Sequence, residues 1–98
     1  MVTVGPETVI TETGASLAHI NPGDTLTMEQ LLYGLMLPSG NDAGAAIAVH
    51  MAGSTDAFAE KMNETAHALG ATDTHFVNPH GLSNEDHYTT AYDLYLIF

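Results

Sequence analysis

The sequence predicts a mainly α-helical domain of about four helices that carries a small two-stranded ribbon. Apolar residues recur at helical spacing between residues 28 and 69, and Pro38, Gly53 and Gly70 interrupt that pattern. Two short β-type runs are available for the ribbon, residues 2–4 and residues 25–27. A chain of 98 residues suffices for one domain and not for two, so we treat residues 1–98 as a single unit.

The first predicted helix covers residues 28–37. Thr27 stands three residues before Gln30, which is the capping-box pattern of a helix start. The apolar positions that follow share helical spacing and are Met28, Leu31, Leu32, Leu35 and Met36. Pro38 is expected to push Leu37 out of the helical region and so to end the helix.

The second predicted helix, residues 42–52, has almost no polar face and is expected to be buried on all sides. His50 lies on this helix, so we expect a buried histidine with satisfied hydrogen bonds. The third helix is predicted over 55–69, with Ser54 or Thr55 as its cap and Gly70 as the left-handed residue after its end. The fourth helix is predicted over 90–98.

Charge and composition exclude several classes of function. The sequence has twelve acidic residues and only one lysine or arginine, Lys61, so the net charge is -11. Such a surface repels phosphate backbones and anionic membranes, so we expect neither nucleic-acid binding nor membrane-surface binding. There are no cysteines, which removes thiolate chemistry and disulfides. We find no signal-peptide pattern and no apolar run near the ~20 residues that span a bilayer.

Ser39-Gly40-Asn41-Asp42 is the most informative stretch, because it separates the first two predicted helices. Backbone N–H groups at a helix start are unpaired and partly positive, so polar side chains placed there can bind a carbonyl or relay a proton. The alternative is structural: Ser39 or Asn41 caps the second helix, and Asp42 complements its dipole.

Residues 71–88 form a predicted loop that carries three histidines and two aspartates: Asp73, His75, His80, Asp86 and His87. Imidazole and carboxylate together are a zinc-type donor set, but the spacing matches no regular zinc pattern. Loop histidines with local hydrogen bonds are the alternative. An acidic helical module that binds a metal through residues 73–87 therefore stays open as a non-enzymatic function.

These residues do not include a complete set of catalytic groups for nucleophilic catalysis. Serine catalysis needs a serine beside a base together with oxyanion donors. Lys61 has Phe58, not a serine, three residues before it, and no Lys-Thr-Gly or Gly-x-Ser-x-Gly occurs. Chemistry alone therefore does not identify an enzyme.

Several segments, taken in order, resemble one family. The segment from Leu31 to Ala43 resembles the second motif region of D-alanyl-D-alanine carboxypeptidases, the low-molecular-mass penicillin-binding proteins of the serine β-lactamase-like fold. Further matching segments follow in the family's order: Met62-Asn63, Leu69-Gly70, Thr74-His75-Phe76, Asn78-Pro79-His80-Gly81-Leu82 and His87 to Leu94. Residues 2–4 and 21–27 also fit, so the resemblance covers essentially the whole chain. A β-lactamase, with Glu85 activating the deacylating water, is a weaker match.

The resemblance implies serine-type acyl transfer on peptidoglycan stem peptides, without a cofactor or metal, and capture of β-lactams. Ser39 would pass a proton toward the leaving amine, and Asn41 would bind an amide carbonyl of the substrate. Gly40 would keep the turn tight beside the substrate, and His80 would border the site. The parent protein would act outside the cytoplasm.

The resemblance also implies that residues 1–98 are part of a catalytic domain, its helical half without the central sheet. The family's Ser-x-x-Lys and Lys-Thr-Gly motifs would lie on either side of these residues. We therefore expect the isolated chain to be inactive, and to self-associate through apolar surface that the sheet would cover.

Overall fold

Four helices and a two-stranded antiparallel sheet make up the computed structural model, which describes residues 1–98. The helices are α1 (Met28–Met36), α2 (Asn41–Ala52), α3 (Thr55–Ala68) and α4 (Ala91–Ile97), and the strands are β1 (Val2–Thr3) and β2 (Thr25–Leu26). The predicted fold class is confirmed, with helix bounds within one residue of prediction and strands each one residue shorter. None of the four helices combines the length and the apolar character that a membrane span requires.

Helix α2 is the centre of the molecule. It packs against α1, α3 and a 3₁₀ turn at Pro6–Thr8, and its residues 41–48 are all buried. Alanines at Ala43, Ala46 and Ala48 leave room for this close approach from several sides. Its predicted burial is thus confirmed for the first two-thirds of the helix. His50 is exposed, so the prediction of a buried histidine is wrong: the last turn of α2 is covered less than residues 41–48, and Met51 is also 61% exposed.

The hydrophobic core joins α1 and α2 to the N-terminal segment. Its buried side chains come from every part of that region: Val2, Val4, Ile20, Leu31, Ala43, Ala46 and Ile47. The ribbon contributes through an antiparallel pair in which Val2 faces Leu26. A two-stranded ribbon is marginal alone, and here it is stabilised by packing its apolar face on the helices.

The helix ends follow local capping chemistry in most places. Thr27 and Gln30 form the predicted reciprocal capping box, and Ser54 and Thr90 accept hydrogen bonds at the starts of α3 and α4. Gly70 has a φ of 88°, as predicted for the residue after a helix. Leu37 contradicts its prediction, because it stays in the right-handed helical region at φ -76° and ψ -57°. Its N–H still bonds to Tyr33 O, and this hydrogen bond offsets the steric preference set by Pro38.

The segment between α3 and α4 is tied down by side chains rather than by regular structure. Asn63 on α3 holds Phe76 twice: its Nδ2 donates to Phe76 O at 2.9 Å, and its Oδ1 accepts from Phe76 N at 2.7 Å. An isolated antiparallel bridge joins His75 to Tyr88 and closes the loop on itself. These contacts hold the 77–88 loop at a defined place beside the helices.

Candidate functional site

Ser39 occupies an unusual backbone conformation at the turn between α1 and α2. Its φ is 55°, a left-handed value that costs a non-glycine residue about 1–3 kcal/mol. The residue is exposed. The capping position of α2 is Gly40, and no side chain caps the helix there, so the predicted capping by Ser39 or Asn41 is wrong. The Ser39 hydroxyl is therefore available at the surface rather than used in the fold.

Gly40 is buried and has no space for a side chain. A Cβ atom added there would lie 2.5 Å from Gly34 O, 2.9 Å from Asp42 Oδ1 and 3.0 Å from Ala18 Cβ. Its N–H donates to Gly34 O at 3.1 Å. The tight turn therefore requires glycine because of contacts with backbone and buried groups, and not because of its φ of -70°.

Asn41 begins α2 and is fixed by one carbonyl group. Its backbone N donates to Ser16 O at 2.9 Å, and its side-chain Nδ2 donates to the same oxygen at 3.0 Å. Two donors on one acceptor set the orientation of the side chain. The second N–H of the amide and its Oδ1 remain for another partner, since an asparagine amide has two donors and one acceptor oxygen.

Asp42 is almost completely buried, with 1% of its surface exposed. Its Oδ1 accepts from Ala18 N at 2.8 Å and from Ala43 N at 2.9 Å, and its Oδ2 accepts from Ile20 N at 3.0 Å. The predicted role of Asp42, which is to complement the dipole of α2, concerns only the hydrogen bond from Ala43 N within that helix. The other two hydrogen bonds reach a segment more than twenty residues earlier in the chain.

His80 lies in the loop that packs against α2. A Cβ atom placed on Gly44 would lie 3.6 Å from His80 Cβ, and Gly44 N donates to Gly40 O one turn earlier in the helix. Burial lowers the pKa of His80 below its usual 6.5, Glu12 opposes this by attraction, and His87 adds to it by repulsion. His80 Nδ1 accepts from Leu82 N at 3.3 Å, a contact that requires the unprotonated nitrogen.

The structure thus brings Ser39, Gly40 and Asn41 together in one turn and seats His80 against the first turns of the same helix. Sequence reasoning missed Ser16, Ala18 and Ile20, whose backbone groups bind Asn41 and Asp42. One signal was present: Asp42 is the only acidic residue in α2, and the seven residues that follow it are all apolar. A carboxylate in such a helix needs hydrogen-bond donors from elsewhere.

The histidines and aspartates of residues 73–87 do not form a metal site. His75 Nδ1 lies 2.6 Å from Asp86 O, and His87 Nδ1 accepts from Val77 N at 3.1 Å. No group of three or more histidine, aspartate or glutamate side chains is placed to hold a metal ion. Local hydrogen bonding accounts for both histidines, and Glu85 is exposed.

Comparison with known proteins points to one family. A family model described as D-alanyl-D-alanine carboxypeptidase matches residues 1–98. The chain is 43% identical over 81 residues to the D-alanyl-D-alanine carboxypeptidase DacF of Bacillus subtilis, covering 83% of this chain and 21% of that protein. It is 45% identical over 84 residues to DacA of Escherichia coli, covering 86% of this chain and 21% of DacA.

A solved structure agrees. The crystal structure of penicillin binding protein 6B from Escherichia coli superposes with a TM-score of 0.90 at 38% identity, covering 98% of this chain and 32% of that one. The chain therefore spans about a fifth to a third of the length of these relatives.

Proposed function

Because this chain belongs to the D-alanyl-D-alanine carboxypeptidase family, we propose that it forms part of a serine-type D-Ala-D-Ala carboxypeptidase. The enzyme removes the terminal D-Ala of peptidoglycan stem peptides through an acyl-enzyme, which water then clears. β-Lactams enter the same reaction as substrate mimics and stay bound as stable acyl-enzymes. The nucleophilic serine belongs to a Ser-x-x-Lys motif outside these 98 residues.

One observation carries this proposal: the Ser39-Gly40-Asn41 turn presents the Ser39 hydroxyl and part of the Asn41 amide, which the fold itself does not use. The Ser39 hydroxyl is exposed on a strained backbone, and the turn behind it is fixed by buried contacts of Gly40 and Asn41. Strain of this kind persists where the surroundings enforce it, and it is concentrated at functional sites. A purely structural turn could have relieved it with glycine at position 39.

Each side chain has a chemical role in the proposed reaction. Ser39 relays a proton from the attacking serine toward the leaving amine of D-Ala, in partnership with lysines outside these residues. The free N–H of the Asn41 amide donates to an amide carbonyl of the substrate and so orients the peptide bond. His80, whose pKa is lowered by burial so that the neutral ring is favoured, borders the substrate from the facing loop.

The place of action follows from the substrate. Peptidoglycan stem peptides lie outside the cytoplasmic membrane, so we propose an extracytoplasmic location for the parent protein. The partners are the stem peptide and β-lactams, and the net charge of -11 disfavours nucleic acid as a further partner.

The test is labelling with a fluorescent penicillin. The complete gene product should bind it covalently at one site per chain, and D-Ala-D-Ala peptides should compete. The isolated 98 residues should stay unlabelled, because they hold neither the nucleophile nor its base. An unlabelled gene product, or stoichiometric labelling of the isolated chain, would overturn the proposal.

The isolated chain is also proposed to self-associate. Apolar side chains are exposed to solvent on α1 and α4 and directly after these helices, among them Met36, Leu37, Tyr95 and Phe98 with exposures of 73%, 78%, 77% and 99%. Exposed apolar surface of this kind is usually covered by a partner. A second copy is the partner available to the chain alone.

A further inference from the structure

Residues 16–20, here called the strap, lie across the start of α2. They contact Gly40 and Asn41 of the proposed Ser-Gly-Asn motif. Ser16 O accepts both hydrogen bonds from Asn41, and Ala18 Cβ lies 3.0 Å from the place that a Gly40 Cβ would take. The strap has no regular secondary structure of its own. What fixes the strap therefore also fixes the turn.

The strap is fixed mainly by the side chain of Asp42. Two of its three N–H donors, Ala18 and Ile20, belong to the strap, and the third, Ala43, belongs to α2. His19, between the two strap donors, has a φ of 62°, and this left-handed residue turns both N–H groups toward one carboxylate. Hydrogen bonds to a carboxylate are shorter and about twice as strong as neutral ones.

We propose that Asp42 is a positioning residue for the acyl-transfer site: its carboxylate holds the strap against α2 and thereby sets the orientation of Asn41 and Ser39. This inference rests on the proposed function. Asp42 is buried and does not meet the substrate, so it acts through Ser16 and Gly40. Its Oδ1 lies 2.9 Å from the place of a Gly40 Cβ, at the inner side of the turn.

The test is the acylation rate of the complete gene product by penicillin, with Asp42→Asn compared to Asp93→Asn. Asparagine at position 42 keeps one acceptor oxygen but points an NH₂ group at a backbone N–H, so the strap loosens. Asp93 is a matched control: it is 2% exposed, lies in the first turn of α4 and accepts from Asp73 N, far from the turn in sequence.

We expect Asp42→Asn to lower the acylation rate constant about 10- to 100-fold with little change in the initial binding constant, as for a misplaced reacting group. Asp93→Asn should change it by less than about 3-fold at equal loss of unfolding free energy, because the hydrogen bonds of Asp93 go to Asp73, Thr74 and Thr90 and none goes to residues 39–41. Rates are expressed per folded molecule, from urea unfolding of each variant. Equal rate losses in the two variants would overturn the inference.

A second measurement needs no variant. Acylation by penicillin should slow the hydrogen exchange of the Ala18 and Ile20 amides, because the turn and the strap are coupled through Asp42. Unchanged exchange at both amides in an acylated protein would also overturn the inference. If the wild-type gene product is not acylated at all, the proposed function fails, and this result is distinct from a failure of the role of Asp42.

Discussion

At the scale of single residues, the Ser39-Gly40-Asn41 turn combines two features. Ser39 has a strained backbone and an exposed hydroxyl, and Gly40 and Asn41 are buried. The strain falls on Ser39, while Gly40 and Asn41 carry the packing and hydrogen bonds that enforce it. Ser39 thus supplies only chemistry and Gly40 only stability, whereas the Asn41 amide serves both. Substitutions at these positions should separate the two properties.

Gly40→Ala should destabilise the fold by about 3 kcal/mol, since the added methyl meets backbone oxygen Gly34 O at 2.5 Å. Urea unfolding followed by circular dichroism measures the change. Gly44→Ala is the matched control, because its new methyl meets only side-chain atoms, at 3.3 and 3.6 Å, and alanine favours the helix. An equal effect of both substitutions would contradict the packing described for Gly40.

His80 should make stability fall as the pH is lowered. Burial lowers the folded-state pKa below 6.5, so the unfolded chain takes up a proton first as the pH drops through 6.5. The loss levels off below the folded-state pKa. Unfolding free energies at pH 7.5 and pH 5.5 should therefore differ less in His80→Gln than in the wild type. An unchanged difference in His80→Gln would refute the prediction.

At the scale of elements, two buried aspartates tie irregular segments to the starts of helices. Asp42 holds the strap to α2, and Asp93 holds residues 73–74 to α4 through Asp73 N at 2.8 Å and Thr74 Oγ1 at 2.7 Å. In both cases the helix start provides side-chain acceptors and the segment provides donors. This arrangement anchors long connections without additional strands.

Asp93→Ala should cost about 2 kcal/mol of unfolding free energy, because Asp73 N loses its acceptor and the buried Thr74 hydroxyl keeps only Thr89 Oγ1 as a partner. Asp56→Ala is the control, since Asp56 lies in the first turn of α3 but is exposed, and its loss should cost about 0.5 kcal/mol. Thermal or urea unfolding of the wild type, Asp93→Ala and Asp56→Ala measures the two costs. Similar costs for the two variants would show that Asp93 is not an anchor.

Local elements could be predicted from the sequence, and non-local ones could not. The capping box at Thr27 and the left-handed conformation of Gly70 depend only on residues nearby in the sequence, so the local sequence pattern predicts both. The contact of Asp42 with Ala18 joins residues 24 apart, and no periodicity encodes it. The exposure of His50 was predicted wrongly for the same reason, because burial of the last turn of α2 depends on tertiary packing that helical periodicity does not encode.

The candidate site divides in the same way. The Ser-Gly-Asn residues were recognised by their resemblance to a family, but their conformation was not. Capping by Ser39 or Asn41 was the expected structural role, whereas Gly40 occupies the capping position and the serine takes a left-handed φ. Packing of the turn against the strap outweighs the local preference for a polar cap.

At the scale of the whole molecule, charge and apolar surface oppose each other. A net charge of -11 disfavours contact between copies, and exposed residues such as Leu37 and Tyr95 favour it. Salt shortens the screening length from about 10 Å at 0.1 M to about 3 Å at 1 M, which weakens only the repulsion. Association should therefore increase with ionic strength.

Sedimentation of the 98-residue chain at high micromolar concentration should give a mass above the 10.4 kDa of the monomer, rising with added NaCl. Leu37→Glu and Tyr95→Glu should each shift the equilibrium back toward monomer, because they place charge in the apolar surface. Thr72→Glu, at an exposed polar position, adds the same charge and serves as control. A monomer at every salt concentration would count against self-association.

The most direct measurement of the central claim is the rate at which a fluorescent penicillin acylates the complete gene product with and without the Ser39 hydroxyl. Ser39→Ala should lower that rate about 100-fold, the size of a lost proton-transfer group, while changing the unfolding free energy by less than about 0.5 kcal/mol, since the side chain is exposed. An unchanged acylation rate in a folded Ser39→Ala protein would contradict the account.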